Sequence, residues 1–274
     1  MVSSLVASGW GDKLLSALRN TPVPPFDYIR LAVASDLERI ARISVVGFKD
    51  SEIFRYERPR YEEYPEDAVA SFVNIYRAQL LDPLAVVIVA QDRPNPADGD
   101  SDRSGTSGQR VVVGVASWRL PEGSPRQGQF VVPDVGDPRP TPNRDLCQHR
   151  LDLFTRITQD TENHKPKTVF NPTNVRRFFR GKGTSPERTS AISSSSIHHT
   201  AVGVTQPRCS NGDNALCDQD GIDRGVIPSY MDEQVYLGLG YKVIGEMHVP
   251  DDGIAQGFTQ RVAVYSAQKE KTEG

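Results

Sequence analysis

The chain is short of the features that would place it outside the ordinary globular class. It has only three cysteines, Cys147, Cys209 and Cys217. An odd count without framework spacing excludes a disulfide scaffold and fits reduced thiols in the cytosol, with the nucleus as the alternative compartment. No long apolar run is present. The longest, "LAVVIVA" at 84–90, is far too short to cross a bilayer and suits a buried strand, so no membrane partner is expected. Nor is there an excess of one charge: 32 Lys and Arg against 35 Asp and Glu leave a formal net charge of -3, which gives no general attraction to nucleic acid or an anionic surface. The opening "MVSSLVASGWGDKLLSALRN" lacks a basic leader before an apolar stretch, and a secretory signal is not expected. What is there is 37% hydrophobic residue over 274 positions, enough for a sizeable core.

That material is ordered along the chain in a readable way. "YIRLAVASDLERIARISVVGF" predicts a strand and then a helix, with Ser35 and Glu38 in a capping-box spacing and Leu37, Ile40, Ala41, Ser44, Val45 and Phe48 at helical intervals. In "YPEDAVASFVNIYRAQLLDP" Pro65, Glu66 and Asp67 favour a helix start, Val69, Phe72, Val73 and Tyr76 share a face, and Pro83 stops it. "LAVVIVAQD" and "RVVVGVASWRL" are β-branched runs that predict two antiparallel strands joined through a long polar connection. The order is β-α-α-β-β. From Pro121 to Asn143 the density of Pro and Gly predicts loop rather than core, and a further helix follows through Leu146, Leu153 and Ile157.

Residues 163–200 change character. Seven Lys or Arg stand against one Glu between 164 and 188, followed by the low-complexity "TSAISSSSIHH". An inserted, weakly ordered segment is expected, with order resuming at the apolar run Ala201–Val204. The interleaved Phe170, Phe178 and Phe179 would allow contact with phosphates, but a solvated insertion is the simpler reading. His198, His199, Cys209 and Cys217 match no usual zinc spacing, and no metal is expected. The organisation predicted is an N-terminal extension at 1–27, a single domain over 28–266 with flexible segments at 93–109 and 163–200, and a polar tail at 267–274.

"QVYLGLGYKVIGE", residues 234–246, contains a Gly-Leu-Gly that could suggest a phosphate loop. Such a loop needs a strand before its glycines and a helix after them. Here helical material comes first and the strand "YKVIGEM" second, so Gly240 is placed where a helix end wants positive φ. The glycines read as a helix stop.

Tyr236 on the last helical turn, then Gly240 and Tyr241 before a strand, resembles the C-terminal signature of the GNAT superfamily of acyl-CoA N-acetyltransferases. The front half, with "VVVGVASW" ending in Trp118, is similar to fungal members, and the resemblance spans roughly residues 28–120 and 200–265. It implies an α/β fold of the α+β kind: a mixed, mostly antiparallel sheet flanked by helices on both faces. It also implies transfer of an acetyl group from acetyl-CoA, as co-substrate, to an amine on a small molecule or a protein. Tyr236 takes the place of the catalytic acid that protonates the departing thiolate. Val202, Gly203, Val204, Gly212, Asn214 and Ala215 fall where the family holds the cofactor. Glu52, Phe54 and Trp118 fall on its acceptor side, near Asp50 and Ser51. As isolated residues, Tyr236 would be a core tyrosine covering a helix end, and the carboxylates would be surface charge.

The family's strongest motif is not intact. Val204, Pro207 and Gly212 echo its order, but no Gln-x-x-Gly run is present, Asn214 stands where a small residue is usual, and "DNALCDQDGIDRG" has four Asp and two Gly and predicts a weak helix. Asp213 and Asp218 are expected to face, and repel, a pyrophosphate. One hypothesis for the altered motif lies in the codons: Cys-Ser-Asn-Gly written TGC-AGC-AAC-GG reads Gln-Gln-Arg two bases on, and sequencing the transcript across codons 163–230 tests for a shifted frame. Two further functions stay open at this level, a degenerate GNAT-fold binding module without catalysis and an acyltransferase acting on a hydroxyl or a secondary-metabolite intermediate.

Overall fold

The computed structural model describes residues 29–92, 110–121, 123–163, 196–199, 214, 217–230 and 232–267, with backbone only at 159, 162, 163 and 196–199. The expectations for 1–27, 93–109, the greater part of 163–200 and the end of the tail fall outside these residues. The elements are β1 (Ile29–Leu31), α1 (Leu37–Phe48), α2 (Glu52–Glu57), α3 (Pro65–Leu81), β2 (Ala85–Asp92), β3 (Val111–Arg119), α4 (Gln148–Asn163), β4 (Ser196–His199), β5 (Arg224–Val226), α5 (Glu233–Gly238), β6 (Lys242–Val249) and β7 (Phe258–Tyr265). They form a four-stranded sheet in the order β1-β2-β3-β4 and a three-stranded sheet in the order β5-β7-β6. Every strand pair among the described residues is antiparallel.

The central strand β2 is buried on both faces, which is why its sequence is a continuous apolar run without alternation. Its odd residues, Val87 and Val89, join Val112 and Val115 of β3 beneath α1 and α3, where Ile40, Ala41, Phe72, Val73 and Tyr76 close the layer. Its even residues, Val86, Ile88 and Ala90, meet Ala116, Trp118, Tyr236, Tyr241, Ala263 and Tyr265 on the opposite face. The two sheets therefore share this second core. A third cluster packs Phe154 of α4 and Tyr56 of α2 on Met247, Val249 and Val262.

The fold class is the one expected, and the departures are local. The expected Ser35/Glu38 capping box is not the start of α1: a 3-10 turn, Ala34–Asp36, precedes the helix, Asp36 stands at the N-cap position without a side-chain bond into the helix, and its carboxylate accepts instead from the Val33 N–H at 2.9 Å. Among its described residues the segment 121–143 has no strand or helix, yet it inserts Phe130 and Val135 into two different cores. Its backbone is tied down as well, Val132 N–H donating to Leu80 O at 2.8 Å and Gly128 N–H to Pro83 O at 2.6 Å. Helix α4 forms as its period predicts; it buries Leu151, Phe154 and Thr158, packs Ile157 at the edge of the third cluster and leaves Leu153 half-buried. At the end of the 163–200 segment the chain re-enters the sheet. Ser196–His199 form a strand whose backbone pairs with β3, Val115 opposite His198 and Gly114 opposite His199.

Candidate functional site

Helix α5 is short, and its end is fixed by the geometry read from the glycines. Gly240 has φ +89°, and a side chain there would meet nothing closer than Tyr265 at 3.9 Å, so backbone conformation rather than space selects glycine. The Tyr241 N–H donates to Tyr236 O and the Gly240 N–H to Leu237 O, each at 3.1 Å. These are the two crossed bonds of a Schellman end. The hydrophobic contact that accompanies such an end is present too: Tyr236 and Tyr241 meet edge to face with ring centres 5.1 Å apart. The Tyr-Gly-Tyr pattern thus has a local cause, since each aromatic covers the other across the glycine. At its other end α5 is held to β7 by Arg261, which donates to Glu233 at 2.6 Å.

Tyr236 is 3% exposed and shares its cluster with Trp118 at the end of β3 and with Cys217. The Arg224 guanidinium lies 5.5 Å from the Trp118 ring centre, giving that aromatic a buried cationic neighbour. Asn214 closes the group: its side chain donates to Leu239 O at 3.5 Å and accepts from the Tyr241 hydroxyl at 3.3 Å. The structure therefore brings together three of the residues singled out from sequence, Trp118, Asn214 and Tyr236. Val202, Gly203, Val204, Gly212, Ala215 and Asp213 lie outside the described residues. Phe54 is placed elsewhere. It packs in the α1/α3 core against Tyr61 and Phe72, with ring centres at 5.1 and 6.5 Å. Glu52 opens the same short helix behind the Ser51 cap, and its Oε2 is shielded from solvent with no hydrogen-bond partner.

Of the two aspartates expected near a pyrophosphate, the structure places one. Asp218 lies in a helical turn at 217–220, and both of its oxygens accept from the Tyr265 hydroxyl at 3.0 Å. Burial pushes the Tyr265 phenol up to about 12, and the hydrogen bond to Asp218 adds to the effect. Asp220 accepts from Arg126 Nε at 2.9 and 2.7 Å. These carboxylates are engaged by the protein because a short turn flanked by a tyrosine and an arginine satisfies them better than open solvent facing an anion would. Sequence reading missed Arg126, Tyr265 and Arg224. Arg126 sits in a Pro/Gly-rich stretch with no periodicity to mark it, while Tyr265 was visible only as one residue of an apolar strand.

An antiparallel, two-sheet α/β fold, carrying a tyrosine on a glycine-stopped helix end at its centre, is the fold class that the resemblance to the GNAT superfamily implied. No family model matches the chain. A protein of Stachybotrys chartarum named acetyltransferase is 50% identical over 255 residues, which is 90% of this chain and 94% of that one. The chain belongs to the same acetyltransferase family. Among solved structures, a Corynebacterium glutamicum protein described as histone acetyltransferase HPA2 and related acetyltransferase is similar over 89% of this chain and 97% of that one, at 14% identity and a TM-score of 0.47.

Proposed function

We propose that this acetyltransferase moves an acetyl group from acetyl-CoA to an amine. The observation that supports the reading most is the position of Tyr236, buried at a rigid helix end beside Trp118 and Asn214. In the proposed step the amine nitrogen attacks the thioester carbonyl and the C–S bond of the tetrahedral intermediate breaks. The Tyr236 hydroxyl gives its proton to the departing thiolate, and the proton lost by nitrogen is taken up by a base or solvent, from which the phenolate is restored. Val202, Gly203, Val204, Gly212, Asn214 and Ala215 hold the acyl donor in this reading. Glu52 and Trp118 contribute to the acceptor side in this reading, whereas Phe54 packs in the α1/α3 core. The inward engagement of Asp218 and Asp220 supports donor binding, because two anions are removed from the approach of a pyrophosphate.

Among the described residues no helix is long and apolar enough to cross a membrane. We place the reaction in the cytosol. The test is thiol release from acetyl-CoA in the presence of a panel of primary amines and matched alcohols. Amine-dependent release supports the proposal; alcohol-dependent release moves the activity to hydroxyl acylation. Binding of acetyl-CoA without release favours a non-catalytic module. In the active case Tyr236→Phe lowers kcat by about a hundredfold, the lower end of what a positioned acid contributes, with acetyl-CoA affinity nearly unchanged. An unchanged kcat returns Tyr236 to a packing role.

A further inference from the structure

The turn at 217–220 is held by two polar contacts for which the proposed chemistry has no use. One is the Asp220 carboxylate on Arg126, whose side chain is fully buried. The other is Asp218 on the Tyr265 hydroxyl. The two acids are two residues apart, so at about 100° per residue they leave the turn on nearly opposite sides. A single tether would leave the turn free to roll about its axis; two in opposing directions fix the rotation.

Both anchors are themselves fixed. Arg126 donates from its backbone N–H to Ser124 Oγ at 3.2 Å and from Nη1 to Gln129 Oε1 at 3.3 Å, within the connection whose Gly128 N–H is bonded to Pro83 O. Tyr265 ends β7, and its ring centre is 5.6 Å from that of Tyr241. Downstream, the Ile222 N–H returns to Cys217 O at 3.0 Å, and Gly221 at φ +64° closes the turn. Upstream stands Asn214, whose side chain bridges Leu239 O and the Tyr241 hydroxyl at the end of the helix that carries Tyr236. Cys217 lies between, in the apolar cluster with Tyr236 and Trp118.

We infer that Arg126–Asp220 and Tyr265–Asp218 are positioning pairs that set Asn214 against the Tyr236 helix end. The inference rests on the reading of acetyl-CoA as the donor. Apolar packing could hold this turn in place equally firmly, but it is non-directional and would not fix its rotation. A directed ion pair and a directed hydroxyl–carboxylate bond do. The four side chains touch no reacting atom and act through Asn214.

The experiment is calorimetric titration of acetyl-CoA into the full chain at low temperature, with folding of each variant checked by circular dichroism. Asp220→Asn weakens acetyl-CoA binding at least tenfold, and Tyr265→Phe, which removes one hydroxyl and leaves the aromatic in place, weakens it by about threefold. The control is Asp145→Asn, which breaks an equally buried pair with Arg58 remote from the turn and leaves the affinity within twofold of wild type. Arg126→Lys retains the charge and recovers part of the affinity lost in Arg126→Met. If Asp220→Asn does not fold, Tyr265→Phe and Arg126→Lys carry the test. Wild-type binding with Asp220→Asn or Tyr265→Phe equally tight overturns the positioning role alone, as does an equal loss in Asp145→Asn. A wild-type chain that does not bind acetyl-CoA overturns both this inference and the donor reading.

Discussion

Between residues 29 and 92 apolar side chains at regular intervals close the layer over β2, with buried ion pairs such as Arg58–Asp145 at its margin. Between 214 and 267 the molecule depends on single polar contacts arranged around a stack of tyrosines. In the first region Ile40, Ala41 and Ala68 are completely shielded from solvent and the strand beneath them is apolar on both faces. In the second, Asp218, Asp220, Asn214 and Tyr265 each make a directed bond to a particular partner far along the chain. An apolar layer tolerates substitution of one hydrocarbon shape for another and gives ground gradually. A buried ion pair has no intermediate state, since removing one partner leaves the other as an uncompensated charge.

The largest expected effect is in the second region. Asp220→Ala removes the carboxylate facing the fully buried Arg126 guanidinium and costs about 3–5 kcal/mol, measured as a shift in the denaturant midpoint at constant slope. A cost below about 1 kcal/mol would remove the contrast between the regions. Next is Gly240→Ala, which forces a Cβ onto a backbone at φ +89° and costs about 1–3 kcal/mol although the side chain has room. A thermal melt showing no loss would mean the Schellman end can relax into another conformation. In the first region Ile40→Val deletes one methylene from a packed layer and costs about 0.5–1.5 kcal/mol. A loss as large as that of Asp220→Ala would show the front core to be the less tolerant part.

The smallest effect is a pH dependence shared by both regions. Burial raises the phenol of Tyr265 to about 12 and drives that of Tyr76, hydrogen-bonded to Ser44, higher still. A raised folded-state value means that the native chain keeps a proton the unfolded chain gives up. The associated stability is fully present below the unfolded value near 10 and is lost as pH rises toward and through 12. Stability therefore declines from about pH 10 upward, and Tyr265→Phe makes the decline shallower. An identical slope in that variant would show that Asp218 stops holding the hydroxyl before it titrates.

The elements of the front half were legible because their causes are local. Pro65 with two acids starts α3, the β-branched run makes β2, and the apolar spacing of α1 selects its buried face. The glycine stop after α5 was legible for the same reason, since a positive φ is a demand of one residue on its own backbone. The capping box expected at Ser35 did not form because a 3-10 turn takes up Ala34–Asp36 ahead of α1 and turns the Asp36 carboxylate back onto the Val33 N–H. Helix α4 was legible from its period, but not that Phe154 would be its residue packed deepest against Met247 and Val249, with Ile157 at the edge of the cluster.

Residue type and spacing by themselves determined the element order, the apolar character of β2, the helix end at Gly240 and the resemblance that led to the acetyltransferase family. All of these follow from interactions within a few residues or from a periodicity that repeats along one element. Tertiary structure alone decided that a Pro- and Gly-rich connection delivers Arg126 and Phe130 to the interior, that Asp218 and Asp220 turn inward, and that Tyr265 stands beside Tyr241. Each of these joins residues far apart in the chain. An aspartate reads the same in sequence whether it meets water, a phosphate or a buried arginine, and its meaning is set only when folding chooses its neighbour.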